Sequence, residues 1–110
     1  MSEQDAPLYR PFQDQLTLQF EALERLISIA QSDTGQSRRV ANFLLAWWNA
    51  SRDGGFDLTD LWHVDKAIAD DMILVFTLVA QRPSYADAYG FGPAMEELVT
   101  KCRPKRRRAR

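Results

Sequence analysis

The sequence predicts an all-α protein, a small bundle of three main helices followed by a short C-terminal helix and a basic tail. Apolar residues recur at steps of three and four along three segments, turn-forming residues separate those segments, and prolines at 83 and 104 stop the last two helices. At 110 residues the chain is expected to form one helical domain, residues 11–102, between a flexible N-terminus, residues 1–10, and the tail, residues 103–110.

The first helix is predicted from Pro11 to Gln31. From Phe12 onward, apolar residues fall at positions 12, 16, 20, 23, 26, 27 and 30, which is helical spacing. Pro11 suits a first turn, because its missing N–H costs nothing there. Glu21 and Arg25 are four residues apart, so they can pair weakly along the helix surface.

The second helix is predicted from Ser37 to Arg52, with Thr34 or Ser37 as its N-terminal cap. Arg38 and Arg39 open this helix. Cations at a helix N-terminus interact unfavourably with the helix dipole. These two arginines are therefore expected to have an acidic neighbour or partner.

All three tryptophans lie within residues 40–65, in the second helix or just after it. Trp47 and Trp48 are adjacent and point about 100° apart on a helix, so one of them is expected to be half exposed. The pair Gly54-Gly55 ends the helix, because glycine can adopt the left-handed conformation that closes one.

The third helix is predicted over residues 66–81, with Asp65 as its N-cap. A brief turn, residues 60–63, precedes it and can be capped by Asp57 or Thr59. The second half of this helix is apolar nearly all round, which predicts deep burial. The residues expected to be buried together are Phe43, Leu44, Trp47, Phe76 and Val79.

The fourth helix is predicted to be short, from Pro93 to Cys102, after a loop over residues 84–92. Its inward-facing side chains are expected to be Met95, Leu98 and Val99.

Residue types for catalysis or metal binding are scarce. A zinc site needs about four Cys or His ligands, or three when it is catalytic, and the chain has one cysteine, Cys102, and one histidine, His63. The acids at 53, 57, 60 and 65 do not follow the spacing of a calcium loop, and no glycine-rich phosphate-binding motif is present. Cys102 and His63 could act together only if the fold brought them beside an orienting group. The sequence therefore favours a protein that is not an enzyme and that uses no metal or cofactor.

Charge divides the chain into an acidic body and a basic end. Residues 1–98 hold fifteen acidic and seven basic side chains, a balance of −8, whereas residues 99–110 hold seven basic and no acidic ones. The tail cations are Lys105, Arg106, Arg107, Arg108 and Arg110. Such a tail can contact phosphate or an acidic protein, or only keep the chain dissolved.

The compartment is expected to be the cytoplasm, without a membrane partner. The polar N-terminus has no apolar core of a signal peptide, and the longest apolar run is too short to span a bilayer. A single cysteine fits a reducing environment.

Two stretches carry a resemblance to a known family: RRVANFLLAWWNASRDGGFDLTDLWHVD and YGFGPAMEELVTKCRP. Together they resemble a family of small uncharacterised proteobacterial proteins often carried near plasmid and integrative-element genes. The resemblance covers residues 38–104, its most specific part is ANFLL…WN…GGFDLTDL…D, and the first helix lies outside it. The setting implied by the resemblance favours small proteins that bind and block a host machine, including restriction or CRISPR complexes. It assigns no functional residue.

These observations favour binding over catalysis. The leading interpretation is a protein-binding module of mobile-element background whose acidic surface inhibits a host nucleic-acid-handling or CRISPR-type defence complex by imitating nucleic acid toward a basic subunit. The candidate contact residues are Asp57, Asp60, Trp62 and Asp65, an aromatic anchor beside a charged rim. The alternative is a nucleic-acid-binding accessory protein that uses the basic tail.

Overall fold

The computed structural model describes residues 12–104. Those residues form α-helices and short 3₁₀ helices and contain no β-strand. The α-helices are α1 (Phe12–Ala30), α2 (Gly35–Asp53), α3 (Lys66–Gln81) and α4 (Gly92–Cys102), and the 3₁₀ helices are Leu58–His63 and Ala86–Tyr89. The all-helical prediction is confirmed, with helix ends within about two residues of those expected. The predicted flexible segment 1–10 and tail residues 105–110 lie outside the described residues.

α1 packs against α3 and α2. Its buried apolar side chains recur at helical spacing and are Ala22, Leu23, Leu26, Ile27 and Ala30. Arg25 donates to both carboxylate oxygens of Asp71 on α3, at 2.9 and 3.0 Å, and these bonds and the charge of Asp71 raise the pKa of Arg25. Asp71 is therefore the main partner of Arg25, because its carboxylate offers a two-bond geometry. The charge of Glu21, four residues earlier on the same helix, adds the weaker attraction that the sequence predicted.

α2 is two helical pieces joined by a sharp bend. Thr34 caps its start by accepting a hydrogen bond from the Ser37 N–H at 3.0 Å. Asn49 has a non-helical backbone, with φ −168° and ψ 83°, and its side chain accepts from the Arg52 N–H at 3.1 Å. Asn49 therefore acts as the N-cap of the second, short helical piece that follows the bend. The predicted helix over residues 37–52 is thus present but interrupted, because Asn49 competes for backbone hydrogen bonds.

α3 buries one face and exposes the other. Its buried side chains are Ile68, Met72, Val75 and Leu78. Ile73 and Phe76 lie on the opposite side and are 56% and 61% exposed. The expectation of burial all round is wrong, because α3 packs mainly against α1 and only lightly against α2. Of the five predicted core residues, Leu44 is buried, Phe76 is exposed, and the other three are partly buried.

α4 closes the other side of α2. Pro93 lies in its first turn, and Met95, Leu98 and Val99 are buried, as predicted. The helix packs against α2 and against the 3₁₀ helix Ala86–Tyr89. Its last turn lies beside the first part of α2.

Candidate functional site

An open apolar groove lies between α2, the segment that follows it, and α3. Its volume is about 280 Å³. The side chains that line it are Phe43, Ala46, Trp47, Phe56, Leu58, Val75, Phe76 and Val79. The Phe43 and Phe56 rings meet edge to face at 5.3 Å, which secures the segment after α2 against that helix. We call this feature the apolar groove.

Large apolar side chains are exposed at and near this groove. Leu58 and Phe76, on two different elements, both line the apolar groove and are 67% and 61% exposed. Trp62 lies on the same 3₁₀ helix as Leu58 and is 78% exposed. A single exposed apolar side chain is ordinary on a protein surface, but several together mark a surface that another molecule covers.

Asp57 is the N-cap of the 3₁₀ helix Leu58–His63, and its side chain is exposed. One of its carboxylate oxygens accepts hydrogen bonds from the Thr59 N–H at 3.0 Å and from the Thr59 hydroxyl at 2.8 Å. The two bonds stabilise the charged form, so they lower the pKa of Asp57 below its ordinary value. The sequence allowed either Asp57 or Thr59 as the cap of this turn, and in the structure the cap is Asp57.

Asp60 and Asp65 contact the first turns of α2. Asp60 Oδ1 accepts from Arg39 Nε at 3.4 Å, which gives Arg39 the acidic partner that the sequence predicted. Asp65 takes the N-cap position of α3 as predicted, without a capping side-chain bond, and its N–H donates to Gln36 Oε1 at 2.6 Å. Arg39 therefore partly neutralises the charge of Asp60. The other three predicted contact residues, Asp57, Trp62 and Asp65, are exposed.

A second cleft, polar and positively charged, lies between the first turns of α2 and the last turn of α4. Its volume is about 470 Å³. The charged side chains that line it are Arg38, Arg39, Lys101, Arg103, Asp33 and Asp60. We call it the basic cleft. The sequence did not predict this cleft, because Arg38 and Arg39 are about 60 residues from Lys101 and Arg103 in the chain. The two arginines at a helix N-terminus were the one local signal of a charged site there.

Cys102 and His63, the two residues considered for nucleophilic chemistry, do not line the same cleft. Cys102 is a free, partly buried thiol in the wall of the basic cleft, and His63 is exposed on the 3₁₀ helix and is not among the lining residues of that cleft. Within residues 12–104, no three His, Cys, Asp or Glu side chains come together where they could hold a metal ion. In the same part of the chain, no helix has the length and apolar character to cross a bilayer.

The tail cations Lys105, Arg106, Arg107, Arg108 and Arg110 lie outside the described residues. Arg103, two positions before them, belongs to the wall of the basic cleft. The chain is therefore at the wall of the basic cleft two residues before the first tail cation.

Comparison with known proteins places most of the chain in one family model. A model described as a family of unknown function, DUF7673, matches residues 20–103. The matched region takes in most of α1 and both 3₁₀ helices as well as α2, α3 and α4, so it extends further toward the N-terminus than the resemblance noted in the sequence. No curated protein and no solved structure matches the chain.

Proposed function

The chain belongs to DUF7673, a family of unknown function, and we propose that it is a non-enzymatic module that binds another protein. The observation that carries this proposal is the exposure of Leu58 and Phe76, which come from two different elements and both line the apolar groove. Leaving such side chains in water is unfavourable, and complete burial of one contributes about 1.5–3 kcal/mol. A partner that covers the apolar groove recovers that free energy.

The groove is suited to an apolar side chain or short segment presented by a partner. Phe43, Trp47 and Val79 are partly buried and line the groove together with the two exposed side chains. Aromatic side chains in such a position supply contact area with little loss of conformational freedom, which is why they are common at binding hot spots. Trp62, exposed on the neighbouring 3₁₀ helix, extends the apolar contact beyond the groove.

Charge selects the kind of partner. The exposed carboxylates of Asp57 and Asp65 flank the 3₁₀ helix that carries Leu58 and Trp62. An apolar contact bordered by carboxylates favours a partner whose apolar residues are bordered by lysine or arginine. The mobile-element background and the inhibition of a host nucleic-acid-handling or CRISPR-type complex are finer parts of the same proposal. The background rests on the resemblance noted in the sequence. The inhibition rests on the −8 balance of residues 1–98, which would let the module occupy a basic surface.

A second candidate function is that of a nucleic-acid-binding accessory protein that uses the basic tail. What favours it is that Arg103, two residues before the first of the tail cations, lies in the wall of the basic cleft together with three other cations of the domain. The two functions use different surfaces, because the apolar groove and the basic cleft share no lining residue.

Affinity capture from a lysate of the native host, after nuclease digestion, separates the two candidates. The variant Asp57→Asn, Asp65→Asn removes two exposed charges and keeps an oxygen that can accept the Thr59 hydrogen bonds. The matched control is Asp14→Asn, Glu24→Gln, which removes two exposed charges from α1.

Protein binding predicts that a partner is retained after digestion, that its association slows in the first variant, and that the control behaves like the parent. Two outcomes would favour the second candidate instead. One is that nuclease digestion removes every captured protein. The other is that deletion of residues 105–110 abolishes capture while neither charge variant changes it.

A further inference from the structure

The basic cleft holds more positive charge than its own carboxylates neutralise. Arg39 is bonded to Asp60 at 3.4 Å and to the Gly35 carbonyl oxygen at 3.5 Å. Arg38 is exposed, and no side chain within residues 12–104 accepts a hydrogen bond or forms an ion pair with it. Asp33, the other carboxylate of the lining, is exposed and forms no ion pair within that range.

Two of the cations are held in place by main-chain oxygens, which carry no net charge. Lys101 Nζ donates to the Ser32 carbonyl oxygen. Arg103 donates to the carbonyl oxygens of Asp53 and Cys102, at 2.9 and 3.0 Å. These contacts fix the positions of the two charges without neutralising them. Arg103 also donates to Asn42 Oδ1 at 2.6 Å. A lysine has three N–H donors and an arginine five, so two N–H groups of each side chain make no hydrogen bond within residues 12–104 and are left for a ligand.

The position of Arg38 and Arg39 at the start of α2 is unfavourable for the domain alone. The N-terminus of a helix carries a partial positive charge, so two cations there repel it as well as each other. An anion in the basic cleft would relieve both repulsions. Guanidinium groups also bind phosphate through pairs of parallel hydrogen bonds, which ammonium groups cannot form.

From this arrangement we propose that the basic cleft binds the phosphodiester backbone of a nucleic acid strand. A nucleic acid strand presents one charge about every 3.4 Å. That close repeat suits a cleft lined by four cations, Arg38, Arg39, Lys101 and Arg103. The proposal deepens the second candidate function and is independent of the apolar groove, so the two can fail separately.

The test is fluorescence anisotropy of a labelled single-stranded oligothymidine of about 20 nucleotides, titrated with the full-length chain over a range of salt concentrations. Arg38→Gln removes one cleft charge from a side chain with no partner in the described part of the protein, so it leaves the fold intact. Lys66→Gln is the matched control, because Lys66 is exposed, paired only with Asp70 on its own helix, and outside the basic cleft. Unlabelled polyglutamate is added as a competitor.

We expect Arg38→Gln to weaken binding about fivefold to tenfold and to reduce the slope of log affinity against log salt by about 0.7, the value for one phosphate contact on a single strand. Lys66→Gln should match the parent, and polyglutamate should compete poorly. The proposal is wrong if the parent does not bind the oligonucleotide, or if Arg38→Gln binds as the parent does while deletion of residues 105–110 abolishes binding. Equal losses in both substitutions, or strong competition by polyglutamate, would also overturn it.

Discussion

Arg103 Nη2 donates to Asn42 Oδ1 at 2.6 Å, and this hydrogen bond joins the end of α4 to the middle of α2. Nε of the same guanidinium reaches the Asp53 carbonyl oxygen at 2.9 Å. Along a straight helix Asn42 and Asp53 would be about 16 Å apart, too far for one guanidinium. The bend at Asn49 returns the last turn of α2 toward Arg103, so the bend, the clamp and the wall of the basic cleft form one structural unit.

Removing the acceptor at Asn42 should destabilise that unit. Asn42→Ala leaves a charged donor of a partly buried guanidinium without its oxygen, and we expect a loss of about 1.5–3 kcal/mol in the free energy of unfolding. Asn42→Asp keeps the oxygen and should retain the stability of the parent or exceed it. Urea denaturation measures both, and equal midpoints for Asn42→Ala and the parent would show that the clamp contributes nothing.

The buried carboxylate of Asp53 makes a second test of the bent turn. Its side chain is fully buried, and both of its oxygens accept from Arg52 at 2.9 Å. Arg52→Gln would leave that carboxylate buried without its cation, at a cost of about 3 kcal/mol. The double variant Arg52→Gln, Asp53→Asn removes the charge as well and should be more stable than the single one. Equal stability of the single and double variants, measured by denaturation, would contradict this account of the pair.

The two glycines after α2 should respond differently to substitution. Gly54 has φ +101°, a conformation that side chains other than glycine rarely adopt, whereas Gly55 has no positive φ and open space around its Cα. Gly54→Ala should therefore cost about 1 kcal/mol or more, and Gly55→Ala should be neutral or slightly stabilising. The comparison needs only thermal melts of the two variants, and the reverse order of stability would be inconsistent with the turn.

The sequence predicted the four helices because their apolar spacing, caps and prolines are local signals. Thr34, Asp65 and Pro93 occupy the ends that they were expected to mark. Burial of α3 could not be predicted in the same way, because an apolar residue such as Phe76 has the same spacing whether another element covers it or not. The basic cleft depends on packing between distant segments, which local patterns do not report.

For the candidate contact residues, the sequence identified Trp62 and the carboxylates of the connecting segment but not the groove. Trp62 was recognised as an aromatic anchor in a turn, and it is exposed. Asp60 was expected beside it as a free charge, and the structure pairs it with Arg39. The apolar groove depends on where α3 lies against α2, so its exposed pair, Leu58 and Phe76, was not predicted as a contact surface.

The lowered pKa of Asp57 has a consequence for pH dependence. Because the folded state favours the charged carboxylate, the stability that Asp57 contributes is fully present above its unfolded pKa and is lost as the pH falls through the lower folded value. Thr59→Val removes the hydroxyl donor and should raise the pKa of Asp57 toward its ordinary value. An NMR titration of the Asp57 carboxyl carbon in both proteins measures this. Identical titration curves would mean that the hydroxyl bond does not stabilise the charged form in solution.

Protein binding through the apolar groove depends on the exposed pair Leu58 and Phe76. Because both side chains are more than half exposed, the variant Leu58→Ser, Phe76→Ser should unfold within a few degrees of the parent. In contrast, Leu44→Ala, which truncates a fully buried side chain, should cost about 2–5 kcal/mol. The matched control for binding is Leu18→Ser, Tyr85→Ser, which removes one aliphatic and one aromatic exposed side chain outside the apolar groove.

The most direct measurement is quantitative affinity capture from nuclease-treated host lysate with the parent and these two double variants. Protein binding through the apolar groove predicts that the parent and the Leu18→Ser, Tyr85→Ser control retain the same partner in equal amount. It also predicts that the Leu58→Ser, Phe76→Ser variant, still folded, loses most of it. Equal retention of that partner by all three proteins, or no partner retained by the parent, would contradict the proposed function.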